Sequence, residues 1–251
     1  MTLRFPAVRI ASQAEVDVWA RNERPIFDQR WLYEQQQIKA GLSSVRAGTC
    51  GLCLAPTVFH SEAPAHERNW REELRCGCAM QLSNRERAIL HFLHARGAIA
   101  PGRQLALTGR ESQIEAKLSE WGHEVLRLPR LLGGRLRFDA ACIDLLICAD
   151  YLQQVPPVVA FMREVARVIR PSGDLCLTVP FDVNALGTRS RVIDLPRSAV
   201  ESAVPLHLFG WDLLDLLRDL GFADVAANFY WSDEFGYLGP FNMIISAVRC
   251  E

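Results

Sequence analysis

Two cysteine pairs, Cys50-Gly-Leu-Cys53 and Cys76-Gly-Cys78, fall within one short segment and account for four of the chain's eight cysteines. Thiolates separated by two residues can grip one tetrahedral zinc from a tight turn, and a second close pair can complete the shell. The second pair has a single intervening residue, which strains the chelate, so His60 or His66 could stand in for one of its thiolates. Incidental thiols in an irregular loop are the plainer alternative; the paired spacing favours zinc. A closed four-ligand shell of that kind is structural, because it leaves no position open for substrate.

A second stretch with chemical promise is RQLALTGRESQIEAKLSEWGHEVLRL, residues 103–128. It reads as a buried strand, a turn at Gly109, an amphipathic helix and a second strand, the opening βαβ of a nucleotide-binding fold. Such turns need glycine where the backbone approaches a ligand. Here Thr108-Gly109 is followed at once by Arg110 and Glu111, one glycine where two or three are usual.

The elements that would position these groups follow from periodicity. Residues 1–47 read as a helical segment, with Val16, Trp19, Trp31, Leu32 and Ile38 at helical spacing among charges. Residues 48–82 hold the four cysteines with little periodicity, as a small metal-stabilised module would. From Ser83 a capped helix with Glu86 in its first turn and a Gly97 stop opens the third segment, residues 83–251. There, strands at Leu105–Leu107, Val125–Leu128, Ile143–Cys148 and Leu175–Val179 alternate with helices at about 111–121, 157–170 and 210–220. A hairpin at about 224–231 and 241–249 closes the chain. The alternation predicts an α/β fold whose mostly parallel sheet is covered on both faces.

With 28 basic and 29 acidic residues, the net charge of −1 exerts no global pull toward nucleic acid or anionic membrane. The arginine run Arg85, Arg87, Arg96, Arg103 and Arg110 reads as a solvated face, with an acidic partner or nucleic-acid backbone as a minor alternative. Arg4, Pro6 and Arg9 interrupt the N-terminus before a signal sequence can form, and no segment approaches the roughly 18 apolar residues of a membrane span. The expected location is the cytoplasm, where thiols stay reduced.

The segment RFDAACIDLLICADYLQQVPPVVAFMREVARVIRPSGDLCLTVPF, residues 137–181, resembles a characteristic stretch of class I S-adenosylmethionine-dependent methyltransferases. The matching residues are Phe138, Asp139, Asp144, Leu152, Val155-Pro156, Glu164, Arg167-Val168-Ile169-Arg170-Pro171, Gly173, Leu175 and Pro180. Residues 69–88 and 207–239 are similar to parts of a bacterial subgroup that carries a cysteine-rich segment before the domain. The resemblance implies a Rossmann-like sheet ordered 3-2-1-4-5-7-6 with its last strand antiparallel, S-adenosyl-L-methionine as cofactor, and a small-molecule acceptor. Ligands in such sheets bind outside the carboxyl ends of the strands where strand order reverses. That edge should gather Thr108, Gly109, Ala149-Asp150-Tyr151 and Pro180-Phe181-Asp182, with the turn from Tyr230 to Tyr237 at the same end.

On this resemblance Asp150 orients the acceptor or meets the sulfonium, with a helix-capping or solvated carboxylate as the alternative. Tyr151 and Tyr230 are candidate proton-transfer groups, or plain packing; His207 is a candidate base, or a surface histidine beside a helix cap. Phe138, Asp139 and Ala149 join Thr108, Gly109 and Glu111 as candidate cofactor contacts. His91 and His94 read as exposed, and Cys142, Cys148 and Cys176 as core thiols. Two features depart from the family pattern. The second strand is followed by Arg127-Leu-Pro-Arg130 where an acidic residue normally takes the ribose hydroxyls, leaving Glu111, Glu124 or Asp139 to supply it, and the interval before Phe138 leaves little room for a third strand. The sequence therefore supports a zinc-containing methyltransferase-like enzyme, and alternatively a degenerate methyltransferase fold kept as a binding or scaffold subunit, with the zinc module and the arginine run presenting its interface.

Overall fold

The computed structural model describes residues 4–22, 24–41, 44–63, 69–78, 81–109, 113–128, 135–155, 157–190 and 207–251. Strand β1 (Ala7–Ile10) leads into helices α1 (Gln13–Asn22) and α2 (Arg24–Lys39). The cysteine-rich segment contributes β2 (Ser44–Thr49), β3 (Pro56–His60), the short helix α3 (Trp70–Glu73) and β4 (Arg75–Cys76). Then come α4 (Asn84–Ala95), β5 (Leu105–Thr108), α5 (Gln113–Glu120), β6 (Val125–Leu128), β7 (Ile143–Ala149), α6 (Val158–Val168) and β8 (Ile169–Thr178). Two-residue strands β9 (Arg189–Ser190) and β10 (His207–Leu208) pair with each other, and α7 (Asp212–Asp219), β11 (Phe222–Tyr230) and β12 (Met243–Arg249) end the chain.

The main sheet has seven strands in the order β1-β11-β12-β8-β7-β5-β6. β6, β5, β7 and β8 are parallel, while β12 runs antiparallel to both its neighbours, β8 and β11. This is the expected methyltransferase sheet with two differences at its edges. Among the described residues no strand lies outside β6, where the third strand was expected to be short or missing; residues 129–134 fall outside the description. At the opposite edge β1 pairs antiparallel with β11, so residues 7–10, read from the sequence as helical, extend the sheet instead. The strand Ala-Val-Arg-Ile is too short for periodicity to reveal it.

Alternate residues of the central strands feed opposite faces, as strand geometry requires. Ala106, Leu146, Cys148, Leu175 and Leu177 face α6 and α7, whose Phe161, Met162, Val165, Leu213, Leu214 and Leu217 join the same core. Leu105, Leu107, Leu145, Ile147 and Cys176 face Ile89, Leu90 and Leu93 of α4 and Ile114 and Leu118 of α5. Each fully buried aliphatic side chain contributes about 1.5–3 kcal/mol, and coverage of both faces explains why these strands read as unbroken apolar runs. α4 begins with a capping box: the Glu86 amide donates to Ser83 Oγ at 3.4 Å and the Ser83 amide donates to Glu86 Oε2 at 3.0 Å.

The motif residues shared with methyltransferases hold the sheet together. Glu164 accepts the Leu136 amide at 2.9 Å and pairs with Arg167, which donates to the carbonyls of Phe138 (3.0 Å) and Leu136 (3.1 Å). Asp144 accepts the Gln104 amide at 2.7 Å and is gripped by Arg170; burial opposes its charge, but these contacts hold its carboxyl below the usual range.

Candidate cofactor edge and cysteine cluster

The carboxyl ends of β5, β7 and β8 bring together Thr108-Gly109, Ala149-Asp150-Tyr151 and Thr178. Gly109 has φ +89°, a region L side chains avoid, and a Cβ there would stand 3.6 Å from Tyr151 Cδ2. The turn thus keeps a side-chain-free backbone facing the Tyr151 ring, which packs on Phe161 with centroids 5.6 Å apart. Asp150 occupies the left-handed region with φ +46°, a conformation Asp tolerates better than most residues. Its amide donates to the Thr178 carbonyl at 2.9 Å, and its Oδ1 accepts the Thr178 hydroxyl at 3.1 Å. Its other oxygen forms an ion pair with Arg85 from the first turn of α4, and Arg85 also pairs with Glu72 of α3 at 2.9 Å. The carboxylate is therefore oriented and charge-compensated, neither a helix cap nor freely solvated.

α2 lies across this edge. Arg24 at its start donates to Asn184 Oδ1, beyond β8, at 3.3 Å; Phe27 stacks on Phe241, before β12; and Glu34 accepts the indole N–H of Trp231, beyond β11, at 2.7 Å. Glu34 is fully buried, and burial pushes its pKa up to about 7. Sequence reading missed this residue, because one acidic side chain on a helix rich in Gln and Arg carries no signal of burial.

Several candidates lie elsewhere. Phe138 and Asp139 precede β7 and sit at the amino ends of the strands, where they line a cavity of about 670 Å³ with Gln104, Arg137 and Arg170. A seven-residue strand separates them from Gly109 by about 20 Å, so they do not belong to the cofactor edge. Tyr230 is fully buried between the rings of Phe5 (5.3 Å) and Tyr237 (5.8 Å), and burial raises its pKa, which fits packing better than proton transfer. His207 is buried, not superficial: Nε2–H donates to the Val155 carbonyl at 3.2 Å and Nδ1 meets the Ser190 hydroxyl at 2.8 Å. His91 is buried as well, with Nδ1 3.0 Å from the Tyr237 hydroxyl, whereas His94 is exposed as expected. Glu111 and His66 lie outside the described residues. At the end of β6, Arg127 stands where the family places an acidic residue, and it pairs with Glu115 of α5.

The four predicted thiols converge. The sulfurs of Cys50, Cys53 and Cys78 lie within 4.8 Å of one another, and Cys76 Sγ is 3.0 Å from Cys78 Sγ. The knuckle closes through Leu54, at φ +58°, whose amide donates to the Cys50 carbonyl at 2.9 Å. The Cys78 thiol donates to Cys76 and, at 3.9 Å, to Cys50. Cys50 and Cys76 are buried with Phe59, Trp70, Leu74 and Leu238, so the sulfurs anchor a small core of their own. Their donor set and spacing fit a tetrahedral zinc. His60 belongs to β3 and is not part of the cluster.

The module packs on the turn after β11, at the sheet's carboxyl edge. The Thr49 amide donates to the Glu234 carbonyl at 2.8 Å, and a Cβ on Gly48 would come within 2.2 Å of that oxygen. A Cβ on Gly51 would come within 2.5 Å of His91 Nδ1 and 2.7 Å of the Tyr237 hydroxyl.

A parallel sheet reversing direction of chain order between β5 and β7, closed by an antiparallel β12, defines the class I methyltransferase architecture. Residues 112–177 match the methyltransferase domain family. No curated relative matches. Among solved structures, an S-adenosylmethionine-dependent methyltransferase from Archaeoglobus fulgidus is 13% identical with a TM-score of 0.45, over 66% of this chain and 94% of that one. A phosphoethanolamine N-methyltransferase from Haemonchus contortus, bound to S-adenosyl-L-methionine, is 13% identical with a TM-score of 0.43, over 67% of this chain and 53% of its own. A methyltransferase from Mesorhizobium loti is 14% identical with a TM-score of 0.40, over 62% and 96%. Among the described residues no helix is long and apolar enough to cross a membrane.

Proposed function

We propose that this protein is an S-adenosylmethionine-dependent methyltransferase acting on a small molecule, in which a structural zinc held by Cys50, Cys53, Cys76 and Cys78 braces the cofactor edge. The observation that carries the reading is Gly109: a side-chain-free turn with positive φ at the point where strand order reverses. Bound there, the cofactor supplies an electrophilic sulfonium methyl. Thr108, Gly109 and Ala149 line its methionine portion, and Tyr151 closes the wall opposite Gly109. Asp150, fixed by Thr178 and neutralised by Arg85, orients the acceptor through its carboxylate instead of acting as a free base. α2 covers the edge and excludes water, so that most of the rate comes from alignment of the nucleophile with the methyl group. On this reading α1 and α2 form the cover, the cysteine-rich segment with β2 the metal module, and residues 83–251, extended by β1, the catalytic core.

The test is transfer of labelled methyl groups to panels of amine, hydroxyl and carbon-acid acceptors. Label should appear with the native chain and be lost with Gly109→Val, whose side chain would project toward Tyr151. A second reading has its own observation: the end of β6 presents Arg127, already paired with Glu115, where a ribose-binding acid is expected. On that reading the fold is a binding or scaffold subunit and the zinc module its protein interface. Absence of transfer to any acceptor from cofactor shown to be bound would favour it.

A further inference from the structure

Among the described members of the arginine run, Arg87 departs furthest from a solvated face: it is fully buried. Its guanidinium has no carboxylate partner among the described residues. It donates instead to four backbone carbonyls, Leu82 (3.3 Å), Phe235 (2.7 Å), Leu74 (3.3 Å) and Gly236 (3.2 Å), and lies over the Phe59 ring at 4.5 Å. A cation withdrawn from water and compensated by dipoles alone is strongly unfavourable; buried charges are ordinarily paired.

The four carbonyls place Arg87 on a seam. Leu74 and Leu82 flank the Cys76-Gly-Cys78 pair, and the Cys76 amide itself donates to the Leu82 carbonyl at 3.4 Å. Phe235 and Gly236 belong to the turn on which the module rests. Four neutral thiols beside this cation would leave its charge uncompensated, whereas a divalent metal held by four thiolates carries a net charge of −2. Resting on the zinc reading above, we propose that Arg87 is the buried counter-charge of a metal–tetrathiolate centre, and that this pairing fastens the cysteine module to the 232–237 turn. Arg87 is thus a positioning residue: it touches neither cofactor nor acceptor, and acts by holding the module on the sheet's carboxyl edge. Two positions earlier, Arg85 carries the same helix turn to Asp150.

The experiment uses the full chain and zinc ion. Zinc affinity is measured by competition with a chromophoric chelator for the native protein, Arg87→Lys and Arg87→Met. Arg87→Met should weaken binding about ten- to a hundredfold, the scale of a lost charge-assisted contact, and Arg87→Lys by less. In parallel, hydrogen exchange of the native protein is compared before and after zinc is stripped, and amides 234–237 should exchange about tenfold faster or more without metal. A folded Arg87→Met with native zinc affinity would overturn the proposal. Should that variant not fold, unchanged exchange at 234–237 on stripping would do the same. A native protein that takes up no zinc would instead overturn the metal reading on which the proposal stands.

Discussion

Replacing Glu34 by Gln should make the protein's stability less sensitive to pH. Glu34 is fully buried on α2; its Oε1 accepts the Trp231 indole N–H, and its Oε2 meets no hydrogen-bond partner among the described residues. Burial raises its pKa from 4.5 to about 7. Between those values the unfolded chain has released this proton and the folded chain still holds it. Stability therefore falls as pH rises through the window, and the penalty is complete once pH exceeds the folded value. At about 1.4 kcal/mol per tenfold change in proton affinity, the full penalty is about 3 kcal/mol. Gln keeps an oxygen for Trp231 and cannot ionise. Urea unfolding at intervals from about pH 5 to about pH 8 should show the native chain losing most of that amount relative to Glu34→Gln. A difference between the two proteins that stays constant across the range would refute the reasoning.

Three other outcomes follow from particular contacts. Gly48→Ala drives a Cβ into the Glu234 carbonyl and should destabilise module docking by about 2 kcal/mol, read as a lower thermal midpoint. Ser83→Ala removes the capping box of α4 and should cost about 1 kcal/mol in chemical unfolding. Arg85→Met leaves the Asp150 carboxylate without its cation, so the edge should favour the positively charged S-adenosylmethionine over neutral S-adenosylhomocysteine by about three- to tenfold more than the native protein does, measured by titration with both.

The core of the fold was legible because its strands are buried on both faces and bounded by turn residues. Ile143–Ala149 and the β11–β12 hairpin fall within a few residues of their expected limits. The paired cysteines were legible because metal ligation imposes short spacing, and their sulfurs do converge. Legibility failed where tertiary packing overrides local pattern. Ala7–Ile10 becomes a strand only because β11 offers it an edge. Arg87 and His91 look like solvated residues of a charged helix, yet they lie four apart on the face that the cysteine module and Tyr237 cover. Phe138 and Asp139 were recognisable as a motif, but their position before β7 puts them at the wrong end of the sheet for the cofactor. Conversely, Gly109 and Asp150 sit where strand order says they must, and the partners that orient Asp150, Thr178 and Arg85, come from distant segments that no local spacing links.

The most direct test of the central claim is isothermal titration of the metal-loaded chain with S-adenosylmethionine and S-adenosylhomocysteine. Saturable one-site binding with Kd on the order of 1–10 μM, abolished by Gly109→Val, is the result expected of a working cofactor edge. No heat of binding at about 1 mM ligand, in folded protein holding its metal, would contradict it.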